Sequence, residues 1–457
     1  MFKNLETNNN GLGKFGGLVI FLLILLPVIK IDAQPLLTLE EAIATALQNN
    51  YDIRLSRNDS AVAALDYEYR NTVFWPRING NAGAFWNYNN QRQEFISGEV
   101  RQGNVATNNV NASINLDWTL FDGLKMFATR QKAEEYIELG ALRIKNQVIN
   151  TVAEVINTYY DIVRQKQQLR ATEEQMSISQ SRVQLSERKL DIGVGTKPEV
   201  LQGQVDLNAQ KAARLRQLSL IQQLKDILNH LLFPTGADQP RPVLNDYDVI
   251  DSIPINPNIT LDEIRTELDQ QNIELQIAEK NIEIAGLTIK EIKAERYPIV
   301  EFNSAYNFSR TNNDITLNQF LPFYNRNRGF NFGFTATVPI LNYRNTHRLI
   351  RQAELNMGFQ QLLYENQKAI LHLNVIHAFN EYQLQLQSLV LEEENILLAL
   401  ENVNIILETY RLGASTYLQL REAQKSLEDA YNRLIAARYN TKVAETELSR
   451  LKGDLVR

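Results

Sequence analysis

The side chains able to do chemistry in this sequence are few and poorly spaced for it. His372 and His377 are five residues apart, which misses the i, i+4 spacing that aims two imidazoles of one helix at a single metal ion. His230 and His347 stand alone in helical stretches, so all four histidines read as structural or solvated groups. Gly193-Val194-Gly195 carries alternate glycines, but no Lys-Ser/Thr follows a strand-borne glycine pattern. A phosphate loop needs both, and the segment reads as a turn between helices. Cysteine is absent, which excludes disulfides, thiolate metal sites and a lipidated N-terminal Cys. With no nucleophile–base pair and no metal-ligand set, the sequence predicts no enzyme, no catalytic residue and no cofactor.

The elements that would carry any other function are more legible. At 457 residues, 44% hydrophobic and 22% charged, the chain is too long for one ordinary core and too polar for a bundle of membrane helices. One apolar run, Leu18 to Ile29, follows Lys3 and Lys14 and precedes Ile31-Asp32-Ala33-Gln34. That order predicts a signal peptide over residues 1–33, cut after Ala33. The run of about 12 residues falls short of the ~20 that a spanning helix needs. The net charge is −6, and losing residues 1–33, which carry a net +1, leaves −7. Such an acidic balance offers no footprint for nucleic acid.

An internal repeat decides the architecture. Leu37-Thr38-Leu39-Glu40-Glu41 recurs as Ile259-Thr260-Leu261-Asp262-Glu263, and Trp75-Pro76 as Tyr297-Pro298, each 222 residues later. Phe121-Asp122 answers Leu341-Asn342, Ala133-Glu134 answers Ala353-Glu354, and Gly193 answers Gly413, each 220 later. The register implies a duplication: residues 34–233 form the first repeat and 259–457 the second. Residues 234–258, rich in proline, join them as a loop across the outside of the assembly.

Each half opens with Thr-x-x-Glu, a capping box at Thr38 and Thr260, and its first helix is expected to run to Pro76 or Pro298. The period then changes to two. Val110, Ala112, Ile114, Leu116, Trp118 and Leu120 alternate with Asn111, Ser113, Asn115, Asp117 and Thr119. Val300, Phe302, Tyr306 and Phe308 repeat the pattern in the second half. Four strands of roughly 10 residues, each with one apolar and one polar face, match membrane β-barrel strands. Trp75, Trp86, Trp118, Tyr88, Tyr297 and Tyr306 suit an interfacial girdle. Residues 91–107 and 311–328 are expected to be long polar loops. A proline-free stretch then predicts a helix over Lys125–Leu190, on the order of 100 Å long. A coiled-coil seam closes the chain at Leu420, Ala423, Leu427, Ala430, Leu434, Ala437, Ala444, Leu448 and Leu451. Gly193 and Gly413 are expected to end the long helices, with Thr196 and Thr416 capping the returning ones.

A duplicated unit of two strands, two long helices and a Gly turn resembles the TolC family of outer-membrane channels. Thr-Leu-Glu-Glu-Ala-Ile at 38–43, Leu120-Phe121-Asp122-Gly123, Tyr410-Arg411-Leu412-Gly413 and the partner turn at Gly193 carry the resemblance. It implies a mixed α and β membrane fold: a homotrimer with a 12-stranded β-barrel that continues into an α-helical periplasmic tunnel. It further implies the exit duct of a tripartite efflux or type I secretion system, in the outer-membrane lipid, working with a periplasmic adaptor (membrane fusion protein) and an inner-membrane transporter. Independently of the family, four strands cannot close a barrel and open edges cannot lie in lipid, so assembly is required. A periplasmic coiled-coil adaptor or stalk is the second reading; it accounts for the helices but leaves the strands unexplained.

The resemblance also implies a periplasmic gate. Acidic residues at the sixth and ninth positions after the second Gly turn narrow the mouth in the family; here they are Gln419 and Glu422, so one carboxylate remains. Tyr410 matches a tyrosine that holds the closed state, with Glu199 as the expected acceptor of its hydroxyl and Lys197 in place of a basic partner replaced by Ser415. Tyr410 also continues the apolar seam of Val403 and Leu407, and both readings stand at this level. Gly193, Val194, Gly413 and Ala414 are the expected docking tips for the adaptor, because small residues leave the backbone approachable.

Overall fold

The computed structural model describes residues 35–233, 247–315, 322–342 and 344–455; the expected signal peptide, 1–33, lies outside them. The order is β1 (Leu36–Leu37), α1 (Leu39–Asn49), α2 (Tyr51–Glu68), a 3-10 turn (Arg70–Phe74), β2 (Arg77–Glu94), β3 (Val100–Phe121), α3 (Lys125–Asp191) and α4 (Lys197–Leu232). After the connection come β4 (Asp248–Val249), α5 (Leu261–Gln271), α6 (Ile273–Ala294), β5 (Ile299–Ile315), β6 (Tyr324–Thr337), α7 (Asn345–Arg411) and α8 (Tyr417–Lys452). The duplication is metrical: α3 and α7 each have 67 residues, α4 and α8 each 36, α1 and α5 each 11. At 1.5 Å per residue the long helices extend about 100 Å. Among the described residues no helix is long and apolar enough to cross a membrane.

Strands β2, β3, β5 and β6 form one antiparallel sheet in that order. Directly opposed residues share a face, so Ile78, Ile114, Tyr306 and Phe330 lie on one side with Trp118, Phe302 and Phe334. That side is bare in the single chain; Phe332 is 68% exposed. The strands are longer than their apolar alternation. Polar residues carry β2 and β3 outward to a turn of only residues 95–99, where 91–107 was expected to be loop. Cross-strand bonds such as Asn90 Nδ2 to Asn104 Oδ1, 2.8 Å, join these polar extensions, which need no apolar face. The strand-to-helix turn is set by Asp122, whose carboxylate accepts from the Met126 N–H at 3.0 Å. Gly123 has φ +73° and abuts the Ala294 carbonyl, leaving no room for a Cβ.

The first helix of each half does not run to the proline. It breaks at Asn50 and at Asn272, both buried. Asn50 Oδ1 accepts from the Asp52 N–H at 2.9 Å while its Nδ2 donates to the Leu231 carbonyl at 3.1 Å. Asn272 repeats this on Leu275 and Leu451. Each Asn thus caps one helix and staples it to the end of the returning helix. The Thr38–Glu41 capping box forms, but Thr260 makes no side-chain cap; Glu263 instead pairs with Lys452 at 3.2 Å.

The core lies between helices. Ala42, Val152, Tyr159 and Leu228 join α1, α3 and α4, and Ile264, Leu268, Tyr382 and Leu448 join α5, α7 and α8. All nine residues of the expected terminal seam are buried. Of the connection expected over 234–258, the described part (247–258) packs rather than loops free. Tyr247 and Val249 are buried, Asp248 and Asp251 pair with Lys166 at 2.6 and 2.8 Å, and the Asn256 carbonyl accepts from Tyr382. This stretch belts the first long helix to the second.

Candidate functional site

The two helical hairpins end side by side in Gly turns, and the site is built from these ends. At the first, Gly193 takes φ +79°, and the Val194 and Gly195 N–H groups donate to the Lys189 carbonyl at 2.9 and 2.8 Å. A left-handed residue there turns the last carbonyls of α3 inward for capping. A Cβ on Gly195 would lie 2.8 Å from the Leu190 nitrogen, so glycine is required at both positions. The second tip repeats the design with Gly413 at φ +79° and the Ala414 N–H on the Thr409 carbonyl at 2.9 Å. Val194 is 71% exposed and Ala414 is also exposed.

The returning helices start differently. Thr416 forms a capping box with Gln419, whose Oε1 accepts from the Thr416 N–H at 2.8 Å. Gln419, expected at the mouth, is therefore occupied in starting α8, and Glu422 alone remains as an exposed acid one turn on. Thr196 makes no side-chain cap; Pro198 in the first turn of α4 fixes its start instead.

Tyr410 does join the two hairpins, through partners other than those expected. It is 3% exposed, and its hydroxyl lies 3.4 Å from Ser186 Oγ on α3 rather than on Glu199. The ammonium of Lys189, not Lys197, donates to the Tyr410 carbonyl at 2.8 Å and sits 3.7 Å from the ring centre. Ser415, in the place of the basic residue, bonds Thr409 Oγ1 at 2.5 Å within its own turn. Seam residue and tether are thus one role: Tyr410 continues the line of Ile396 and Val403 and ends it against the polar face of α3.

Farther from the tip lies a charged tie that the sequence reading did not find. Arg182 on α3, 2% exposed, donates to Asp206 Oδ2 on α4 at 2.9 Å and to Gln424 Oε1 on α8 at 2.6 Å. Arg421 reaches the same Asp206 oxygen at 3.3 Å, and the Tyr417 hydroxyl donates to it at 3.4 Å. Burial pushes the Tyr417 hydroxyl above its ordinary range, against the pull of Arg182, so it remains a donor. A polar cavity of 340 Å³ adjoins the tie, lined by Gln175, Arg216, Lys425 and Glu428 among others. The available signal was spacing: Gln175, Ser179, Arg182 and Ser186 are buried and follow one another by four, three and four. They are a seam written in polar letters.

Elsewhere, His372 lies 3.0 Å from Asp269, a link between α7 and α5. Among the described residues no group of three or more His, Asp or Glu is arranged to hold a metal ion.

Comparison with known proteins accords with a duct. The fold matches the outer-membrane channel OprN with a TM-score of 0.75 at 15% identity, covering 91% of this chain and 90% of that one. It matches VceC of Vibrio cholerae at 0.73 and 15% identity, over 91% and 96%. It matches the CmeC outer-membrane channel of Campylobacter jejuni at 0.71 and 15%, over 91% and 85%. No curated protein sequence matches. The family described as outer membrane efflux protein matches residues 42–237 and 265–454, one segment in each repeat. The chain therefore belongs to the outer membrane efflux protein family and is an outer-membrane efflux channel whose helices extend into the periplasm.

Proposed function

We propose that three copies of this chain form the passive exit duct of a tripartite efflux or type I secretion system, receiving cargo from an inner-membrane transporter through a periplasmic adaptor. The sheet carries this reading. Among the described residues its edges, β2 and β6, and its aromatic face have no partner, and neither backbone edge can remain unpaired in lipid. Twelve strands from three chains would close it.

The long helices support the same assembly. Tyr382, Leu389, Ile396, Val403 and Tyr410 are buried at intervals of seven, the first four against α8 and Tyr410 against α3. Two residues on from each, Leu384, Leu391, Leu398, Ile405 and Leu412 are exposed. Two residues are about 200° around a helix, so α7 presents a second apolar seam, on the side away from its partner, for a neighbouring chain. The adaptor would meet the exposed tips at Gly193, Val194, Gly413 and Ala414. Opening would separate the second hairpin from the first by breaking the Tyr410–Lys189 contact and the links of the Arg182–Asp206 pair to Gln424 and Arg421. Glu422 would leave a single ring of carboxylates, and cation preference weaker than in a doubly acidic mouth.

Reconstitution into a planar bilayer tests the duct directly: the purified protein is expected to add conductance in uniform steps. Absence of conductance from correctly assembled protein, across voltages and after weakening both ties, contradicts the reading.

A further inference from the structure

On β5 and β6 the apolar face of the sheet carries three arginines. Arg310 on β5 stands directly opposite Arg326 on β6, and Arg328 stands opposite Phe308. All three therefore share the face of Phe302, Tyr306, Phe330 and Phe332. Like charges directly opposite one another destabilise a sheet. Among the described residues none of the three has a carboxylate partner; two lie near rings instead, Arg310 at 5.6 Å from that of Tyr324 and Arg326 at 5.8 Å from that of Phe308.

Their height on the wall follows from the register. Trp86, Asn108, Asn312 and Tyr324 form one cross-strand row, and Trp118, Phe302 and Phe334 form another, ten residues nearer the helices. Ten residues measure about 34 Å along a strand, and about 26 Å across the sheet when strands tilt by about 40°, the ~25 Å of an apolar band between its aromatic girdles. The Arg310–Arg326 row lies two residues inside the outer girdle. Long basic side chains there extend back to the girdle level. Every strand joins its helix at the opposite end, so this girdle is the one away from the periplasm.

We propose that Arg310, Arg326 and Arg328 bind the phosphate groups of the outer-leaflet glycolipid, one phosphate bridging the opposed Arg310 and Arg326. The inference rests on reading the aromatic face as the lipid-facing wall. Guanidinium forks match phosphate oxygens two at a time, and a bridging anion turns the repulsive pair into an attractive site. A surface glycolipid fits better than a soluble anion because the cations sit on an apolar face, where acyl chains can pack on Phe330 and Phe332.

Native mass spectrometry of the delipidated, detergent-solubilised assembly provides the test, with bisphosphorylated lipid A as the probe. The wild type is expected to retain lipid A, and removal of both phosphates from the probe to weaken binding about tenfold. The triple variant R310Q/R326Q/R328Q is expected to show the same loss with unchanged assembly mass and conductance. Arg326→Gln alone, which keeps the fold if the triple variant does not, is expected to lose binding about threefold. Equal binding of dephosphorylated lipid A, or wild-type binding by the variants, overturns the proposal. So does equal binding of phosphatidylglycerol, or full displacement of lipid A by millimolar inorganic phosphate. A wild-type protein that neither assembles nor conducts would instead refute the channel reading, a separate failure.

Discussion

The Lys189 ammonium donates to the carbonyl of Tyr410 and lies 3.7 Å from the centre of the same residue's ring. Lys189 ends the long helix of the first hairpin and Tyr410 that of the second, so one cation holds both the backbone and the side chain of the facing tip.

This geometry divides the tether unequally. A hydroxyl contact of 3.4 Å is at the limit of a hydrogen bond, whereas cation–π and charge-assisted bonds contribute about 1–2 kcal/mol together at a half-buried site. Tyr410→Phe is therefore expected to change the open fraction of the isolated channel less than about threefold, and Lys189→Met to raise it about tenfold. Single-channel recording compares the two; a larger effect from Tyr410→Phe would assign the tether to the hydroxyl.

The Arg182–Asp206 pair, which lies within the first hairpin and holds Gln424 and Arg421 of the second, is predicted to anchor a stronger tie. Removing one member of a buried pair strands the other, at a cost of about 3 kcal/mol. Asp206→Ala should lower the melting temperature and open the channel, and adding Arg182→Met should restore part of the loss. A double-mutant cycle on thermal melting that returns purely additive effects would show the two residues uncoupled.

Docking is best probed at residues free of backbone strain. A substitution at Gly413 would be strained by its positive φ whatever it does to an adaptor, but Val194 and Ala414 carry no such constraint. Val194→Trp and Ala414→Trp are expected to leave conductance of the isolated channel unchanged and to abolish export in cells. Normal export at normal abundance would remove the tips from the docking surface.

The belt of residues 247–258 should respond to acid. Burial favours protonation of Asp251, yet hydrogen bonds from Lys166 and Arg170 outweigh it and hold the carboxyl below its ordinary value. A carboxyl lowered in the folded state contributes stability above its unfolded pKa, about 3.9, and loses that contribution as the pH falls through the folded value. Amide exchange in this segment, corrected for intrinsic rates, is expected to accelerate below about pH 4 and to lose that dependence in Lys166→Ala. Unaltered pH dependence in the variant would dissociate the belt from Asp251.

What could be read beforehand depended on local chemistry. The two Gly turns, the terminal Leu/Ala seam and the dyad strands are each dictated by residues within a turn or two of one another; the turns and the seam formed where the sequence placed them, and the strands formed there but ran on into segments expected to be loop. Asn50 and Asn272 were passed over because an Asn inside a helical stretch discloses its role only once the Leu231 and Leu451 carbonyls are beside it. Arg182, Ser186 and Asp206 were missed for a related reason: a polar seam has the composition of a solvated face until a second helix covers it. Glu199 was expected to receive Tyr410 because it is near the turn in sequence, but α3, the outgoing helix, packs closer to α7 there and supplies Ser186 and Lys189.

The central claim is that the four-stranded sheet is a third of a closed barrel, and the mass of the purified protein tests it most directly. Light scattering in detergent, with the bound detergent subtracted, is expected to give three chains. A stable, monodisperse single chain would mean that the sheet's edges need no partner and would contradict the account.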